Sequence, residues 1–427
     1  MRKALYLLSA MLLFIATENS VEASESDLSK ENAELKQRVE KLEGEVEKLK
    51  KTIPGATTDQ TKKPVWSTLD FQLYGYLKLD AAYDDSRINN GNFADWVRPE
   101  NNNDDDSQFN MTARQSRFGV NITGPDNGRV KTSGRAEVDF YEGGAENKPR
   151  IMMRHAYMKM DWAKERFSIL AGQTSDVFSP LVPSTVNYTV CWWSGNIGYR
   201  RPQFRVTKEL DLGSDIDLKL EGALARNIGR ADAVAAPNGT ESGEDEGFPV
   251  VQARASVTMP DRSVVGLSGH MGEEEYDTTV FGDHEDFDTW SLNLDMTKPI
   301  NEKVTIKAEC FIGENLNAYL GGIGQGVTTA AGINRYEEIG SKGGWIAASL
   351  GPWENIRYNV GIGMDDVKQG NVQVGSRTYN SNVFGNFFYA LSEHVEWAVE
   401  LSHWRTEYRG SGDADALRVQ TALIYKF

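Results

Sequence analysis

Cysteine is almost missing from this chain: 427 residues contain two, Cys191 and Cys310, in dissimilar segments, so no disulfide framework holds the fold. Histidine is scarce as well. His155, His270, His284, His394 and His403 are the full set, and no recognised ligand spacing accompanies them. His270 and His284 flank the acidic segment 273–277, a conceivable rim site for base or metal chemistry, but an enzyme is the weakest reading. Long apolar runs are missing too. Beyond residue 23 no stretch of about 18 apolar residues occurs and the mean hydropathy is −0.49, which excludes a helical membrane protein. Positive charge is in deficit: 46 Lys and Arg against 62 Asp and Glu leave a formal charge of −16. A nucleic-acid partner, which needs a locally basic surface, is therefore not expected. "GGIGQG" (321–326) lacks the Lys-Ser/Thr of a phosphate loop and reads as a flexible connection.

What is present begins with Arg2 and Lys3, an apolar run from Ala4 to Ala16, and Val21-Glu22-Ala23. That pattern predicts a secretory signal peptide over 1–23, too short to be a span. A heptad segment over 24–54 follows. Leu28, Leu35, Leu42 and Leu49 take position d, while Asn32, Val39, Val46 and Ile53 take position a. Glu31 with Lys36, Arg38 with Glu43, and Glu45 with Lys50 match in sign between g and the next e, which predicts a parallel self-associating α-helical coiled coil. Valine at a with leucine at d favours two strands. Pro54 and Gly55 end the helix, and 55–65 is a polar linker.

From about residue 66 the period changes to two. In "FQLYGYLKLDAAY", Phe71, Leu73, Leu77, Leu79 and Tyr83 share one face, and Gln72, Tyr74, Tyr76, Lys78 and Asp80 the other. The same alternation recurs to the end of the chain, and short turns such as 123–128, 259–262 and 391–395 interleave with long connections such as 84–107, 175–199, 272–287 and 314–340. Ionised groups in mid-strand (Arg135, Glu137, Asp139) suit a watery lumen, and aromatics near strand ends (Tyr83, Trp162, Trp290, Trp345, Trp397, Tyr425) suit interfacial girdles. Residues 66–427 therefore read as an all-β, transmembrane, antiparallel up-and-down β-barrel of about 16 strands. Every backbone amide in hydrocarbon must be paired, so the last strand has to close on the first. "RVQTALIYKF" fits that role: Val419, Leu423, Tyr425 and Phe427 share the apolar face with Thr421, opposite Arg418, Gln420 and Lys426.

The terminal aromatic, with the alternation before it, resembles the closing signal read by the barrel-assembly machinery of Gram-negative bacteria. Signal peptide, heptads, linker, "FQLYGYLKLDAAYD" and "RQSRFGV" together resemble the DcaP-like outer-membrane porins. The resemblance implies a sixteen-stranded porin in the outer membrane, its coiled coil in the periplasm, passing small anionic solutes such as dicarboxylates. It also implies a homotrimer. The heptad core suggests a dimer, and a barrel wall shared between protomers should outweigh four heptads. No cofactor is expected.

Selectivity should reside in charge along the lumen. Arg117, Arg135, Arg205 and Arg254 point inward by parity. Arg200 and Arg201 lie beside a strand, and Arg114, Arg150 and Arg154 depend on bulges that parity does not show. These guanidiniums either form an anion-attracting ladder or pair internally with Glu137, Asp139 and Glu221. "SDVFSPLVPSTVNYTVCWWSGNIGYRRPQFR", after the expected fifth strand, is apolar for a loop in water. Phe178, Trp192 and Trp193 mark it as a constriction loop folded against the lumen wall, or else Trp192 and Trp193 meet a neighbouring protomer. The acid clusters at 101–106, 241–246 and 273–277 are solvated loops in the plainer reading. Alternatively they hold Ca²⁺ or Mg²⁺ bridging to lipopolysaccharide phosphates.

Overall fold

The computed structural model describes residues 68–99, 106–125, 128–228, 242–277, 284–329 and 336–427, together with Gln37 and Lys41. The chain divides into Met1–Ser67 and Thr68–Phe427. In the first unit Gln37 and Lys41 are helical; the signal peptide, all eight heptad positions from Leu28 to Ile53, and the linker lie outside the described residues.

The second unit is one closed antiparallel sheet. Its strands in chain order are β1 (Asp70–Asp84), β2 in two arms (Gln108–Thr112 and Arg117–Thr123), β3 (Lys131–Asp139), β4 (Met152–Trp162), β5 (Phe167–Ser175), β6 (Arg200–Asp211), β7 (Asp217–Ala225) and β8 (Val250–Thr258). They continue as β9 (Val264–Asp277), β10 (His284–Asn301), β11 (Val304–Glu314), β12 (Gly340–Trp353), β13 (Ile356–Val367), β14 (Arg377–Ala390), β15 (Val395–Tyr408) and β16 (Ala414–Lys426). Both arms of β2 pair with β1, so the barrel wall has sixteen strands among the described residues, each bonded to its neighbours in sequence. β16 closes the ring on β1 in a register running from Tyr76 opposite Lys426 to Asp84 opposite Arg418.

The residue distribution is inverted relative to a soluble protein. Large apolar side chains face outward, as with Leu73 at 76% exposure and Met271 at 64%, while charged groups such as Asp84 at 0% and Arg418 at 1% are enclosed. Across the closing seam Arg418 Nη1 donates to both oxygens of Asp84 at 3.0 Å. A wall of this kind is stable only with hydrocarbon outside and a polar interior. Outward aromatics gather towards the end bearing the short turns: Trp162 with Phe167, Trp353 with Tyr358, and Phe387 with Trp397 at ring separations of 5.5, 6.2 and 5.3 Å. Trp345 corrects the sequence expectation. It is inward and 3% exposed, so it is no part of a girdle.

One further correction concerns the long connections. The segment expected as a loop over 272–287 is mostly strand, because β9 and β10 stay paired out to Asp277 opposite His284. Residues 140–151, between β3 and β4, form a loop (L2).

Candidate functional site

Three loops fold back into the barrel: L1 (described over 85–99 and 106–107), L3 (176–199) and L6 (described over 315–329 and 336–339). L3 follows β5 and crosses the lumen to the β11–β15 wall, where buried carboxylates hold its backbone. Glu309 accepts from the Leu181 amide at 2.7 Å and from Trp345 Nε1 at 3.0 Å. Glu400 accepts from the amides of Val186 and Asn187 at 2.7 and 3.3 Å and from Asn386 Nδ2 at 2.9 Å. On the near side the Val177 amide donates to Gln252 at 2.9 Å. The bend of L3 is pressed so close to the wall that a Cβ on Gly195, at φ +116°, would stand 2.2 Å from the carbonyl oxygen of Gly344.

L1 and L6 pack on L3. Thr189 Oγ1 donates to the carbonyl of Ala94 at 2.9 Å, and the Trp193 amide donates to that of Leu320 at 2.9 Å. Phe178 is fully buried, stacked on His270 at 4.6 Å and near Tyr319 at 5.5 Å. Trp192 is 8% exposed beside Tyr188 and Tyr199. Trp193 stacks on Phe93 at 6.2 Å and meets Trp96 edge-on at 5.9 Å. Both tryptophans are thus inside the barrel, which removes the expectation that they touch a neighbouring protomer. His270 is also interior, bonded to Ser291 and Thr289, whereas His284 lies on the rim with a ligand atom within 4.8 Å of those of Glu275 and Asp286. The two histidines do not share a site. Of the acid cluster at 101–106 only Asp106 is described, where it pairs with Arg87 at 2.8 Å.

Opposite L3, the β2–β6 wall carries the arginines. Glu137 on β3 is their hub. Arg154 Nε donates to it at 2.7 Å, Arg117 and Arg135 approach at 3.6 and 3.7 Å, and Tyr74 donates its hydroxyl at 2.8 Å. His155 Nε2 is 3.8 Å away. A register shift between β3 and β4 at this level turns Arg154 and His155 into the lumen together, which strict parity forbids. Arg154 also donates to Asp139 at 2.5 Å. Tyr188 of L3 leans on Asp139 at 3.4 Å, and burial beside that carboxylate pushes its hydroxyl above the usual tyrosine range. Arg117 and Arg135 lie over the rings of Tyr76 and Tyr74 at 5.2 and 4.8 Å.

The remaining candidates divide. Arg254 forms a two-point bond to Asp295 at 2.8 and 2.7 Å and reaches Glu221 at 3.3 Å. Arg201 is fully buried on Asp176 at 2.8 Å. Arg205 is 3.9 Å from Glu221 and bonded to Gln203. Arg114 is held by Glu146 in L2 at 3.1 Å, and Arg150 is exposed in the same loop. Arg200 has no ion pair among the described residues; it lies over Tyr199 at 4.4 Å and near Trp192 at 5.7 Å. Between L3 and this wall remains a cavity of about 320 Å³ lined by Arg117, Arg154, His155 and Arg200. A second, of about 460 Å³ towards the short turns, is lined by Lys159, Arg166, Arg205 and Lys219 with Asp161, Glu209 and Glu221. Sequence reasoning did not single out Glu309 or Glu400. Each is an acid at the inward parity of its strand, with apolar residues directly on either side ("AEC", "VEL"), and that signal could have found them.

The sequence model of the DcaP outer membrane protein family matches residues 28–274. The outer membrane channel DcaP of Acinetobacter baumannii is similar in structure with a TM-score of 0.69 at 18% identity, over 84% of this chain and 98% of that one. An anion-selective porin from Comamonas acidovorans is similar at 0.53 and 10% identity, over 84% and 100%. The trimer form of Vibrio cholerae OmpT is similar at 0.52 and 10% identity, over 84% and 100%. No curated protein matches the chain by sequence.

Proposed function

Since the chain belongs to the DcaP outer membrane protein family, we propose that its barrel is a passive channel of the outer membrane for small hydrophilic solutes, with a preference for anions, dicarboxylates among them. The observation that carries the preference is local imbalance. Around the cavity beside L3, Arg117, Arg135, Arg154 and Arg200 meet Glu137 and Asp139 among the described residues, while Asp176, which also lines it, is held by Arg201. The acids on the opposite wall, Glu309 and Glu400, are occupied in holding L3. Guanidiniums remain charged at any working pH, so their field acts on whatever crosses the gap. L3, with Phe178, Trp192 and Trp193 packed at its base, is the constriction loop in this reading. Arg205 and Arg254 continue the lining, and buried Arg201 serves to anchor it.

The chain assembles as a homotrimer through barrel walls and the periplasmic heptads. Val419, Leu423, Tyr425 and Phe427 present the closing strand to the assembly machinery, and the outer rim meets lipopolysaccharide. A second reading, a general porin with little ionic preference, is favoured by Arg254 and Arg201, whose charges are matched by Asp295, Glu221 and Asp176. Planar-bilayer conductance with the reversal potential read across a salt gradient separates the two. A chloride-directed potential supports the first reading, a potential near zero the second, and absence of conductance neither.

A further inference from the structure

The cavity between L3 and the arginine wall has two chemically unlike sides. On the wall side Arg200 is 6% exposed, and its Nε and Nη2 atoms have no hydrogen-bond partner. Its neighbours are the rings of Tyr199 and Trp192, which attract a cation but accept no strong hydrogen bond. A guanidinium enclosed without an anion is costly, so this position is completed by one. Of its companions in the cavity, Arg154 is hydrogen-bonded to Glu137 and Asp139, and Arg117 has Glu137 as an ion-pair partner at 3.6 Å although its Nε makes no hydrogen bond, so Arg200 alone of the three has no carboxylate beside it among the described residues. On the loop side Val182 is 48% exposed and Pro180 is exposed too, although both lie inside the barrel, where no lipid covers them. Aliphatic surface turned towards a water path is available to a solute that carries aliphatic surface of its own.

We propose that this slit is a saturable binding site for a monocarboxylate with an aliphatic body, the carboxylate on Arg200 and the chain along Pro180 and Val182. The site rests on the anion-channel reading above and deepens it. Dicarboxylates of the same length pass, but bind less tightly, because their second charge would have to face the aliphatic side or compete with Glu137 and Asp139, which already balance the charges of Arg117 and Arg154.

The test uses the full chain in planar bilayers at neutral pH, with acetate, hexanoate and adipate as titrated blockers of the chloride current. Hexanoate is expected to block saturably at a half-blocking concentration about tenfold below those of acetate and adipate, from burial of its methylenes. Arg200→Gln is expected to weaken hexanoate block by about tenfold or more, the loss expected for a charge-assisted hydrogen bond. Val182→Asn, on an exposed loop position that tolerates the change, should weaken hexanoate block and leave that of acetate unaltered, and it carries the test if the arginine variant does not fold. Adipate binding as tightly as hexanoate, or hexanoate block unchanged in both variants, overturns the site while leaving an anion-selective channel intact. A cation-selective reversal potential overturns the channel reading and the site together.

Discussion

Gly75 and Phe427 exchange two backbone hydrogen bonds, N to O in each direction at 3.1 Å, and the Phe427 ring lies 5.9 Å from that of Phe118. The last residue of the chain is therefore a rung of the ladder that closes the barrel. Deleting Phe427 removes that rung and leaves β1 with unpaired groups at the lipid boundary, where each costs several kcal/mol. The expected outcome is a sharp fall in folded, heat-modifiable barrel on gel electrophoresis. Gly75→Val should do the same, since a Cβ there would stand 2.2 Å from the carbonyl oxygen of Arg117.

Glu137 is shared by Arg117, Arg135 and Arg154. Glu137→Gln removes one negative charge from the narrow part of the lumen without changing its width. The reversal potential should shift further towards that of chloride, whereas replacing Arg117 and Arg135 together by alanine should shift it the other way. Movement of both variants in the same direction would show that these groups only shape the wall.

Glu400 accepts two L3 amides, and Glu309 one. Replacing either by alanine strands buried donors at a cost of about 1–3 kcal/mol each, which loosens the loop without touching the outer face. Single-channel conductance should rise and become noisier, and liposome swelling should admit larger sugars than the parent channel admits. An unchanged size limit would mean that L1 and L6 hold L3 unaided.

Asp95, in L1, accepts from the Trp96 amide at 2.8 Å and from Asn89 Nδ2 at 2.9 Å, yet burial raises its carboxyl to about 6. A raised carboxyl means that the docked loop binds the proton more readily than the released one. Docking is therefore strengthened as pH falls through about 6, reaches its full extent below the ordinary aspartate range, and is weakened again as pH rises. Limited proteolysis within L1 should accelerate from pH 5 towards pH 7, and Asp95→Asn should flatten that dependence.

Removing residues 28–53 tests the heptads apart from the barrel. Conductance per channel should be unaltered, and the yield of oligomer after detergent extraction should fall. A loss of conductance would instead tie the segment to the pore itself.

Much of this architecture is written in alternation. Leu77, Leu79 and Tyr83 outward against Lys78, Asp80 and Asp84 inward follows from the period of two, and the position of L3 after the fifth strand follows from counting turns. Arg117, Arg135, Arg205 and Arg254 point inward for the same reason. Arg154 was not readable, because one extra residue on β4 puts it and His155 on the same side. Trp345 lies in the middle of β12, not near a strand end as the sequence suggested, and an indole fits a girdle and a lumenal donor equally well. What settles it is Glu309, a partner 36 positions away.

The order of residues alone determined which face of each strand meets lipid and that the final strand must close on the first, because both depend on local periodicity and on the rule that hydrocarbon tolerates no unpaired amide. Only the tertiary structure decided which lumenal charges cancel. Arg254 and Arg200 look alike in sequence, yet one is matched by Asp295 and Glu221 while the other is left among aromatic rings. Neutralisation depends on distances across the barrel between residues far apart in the chain, and those distances exist only once the ring has closed and the loops have folded into it.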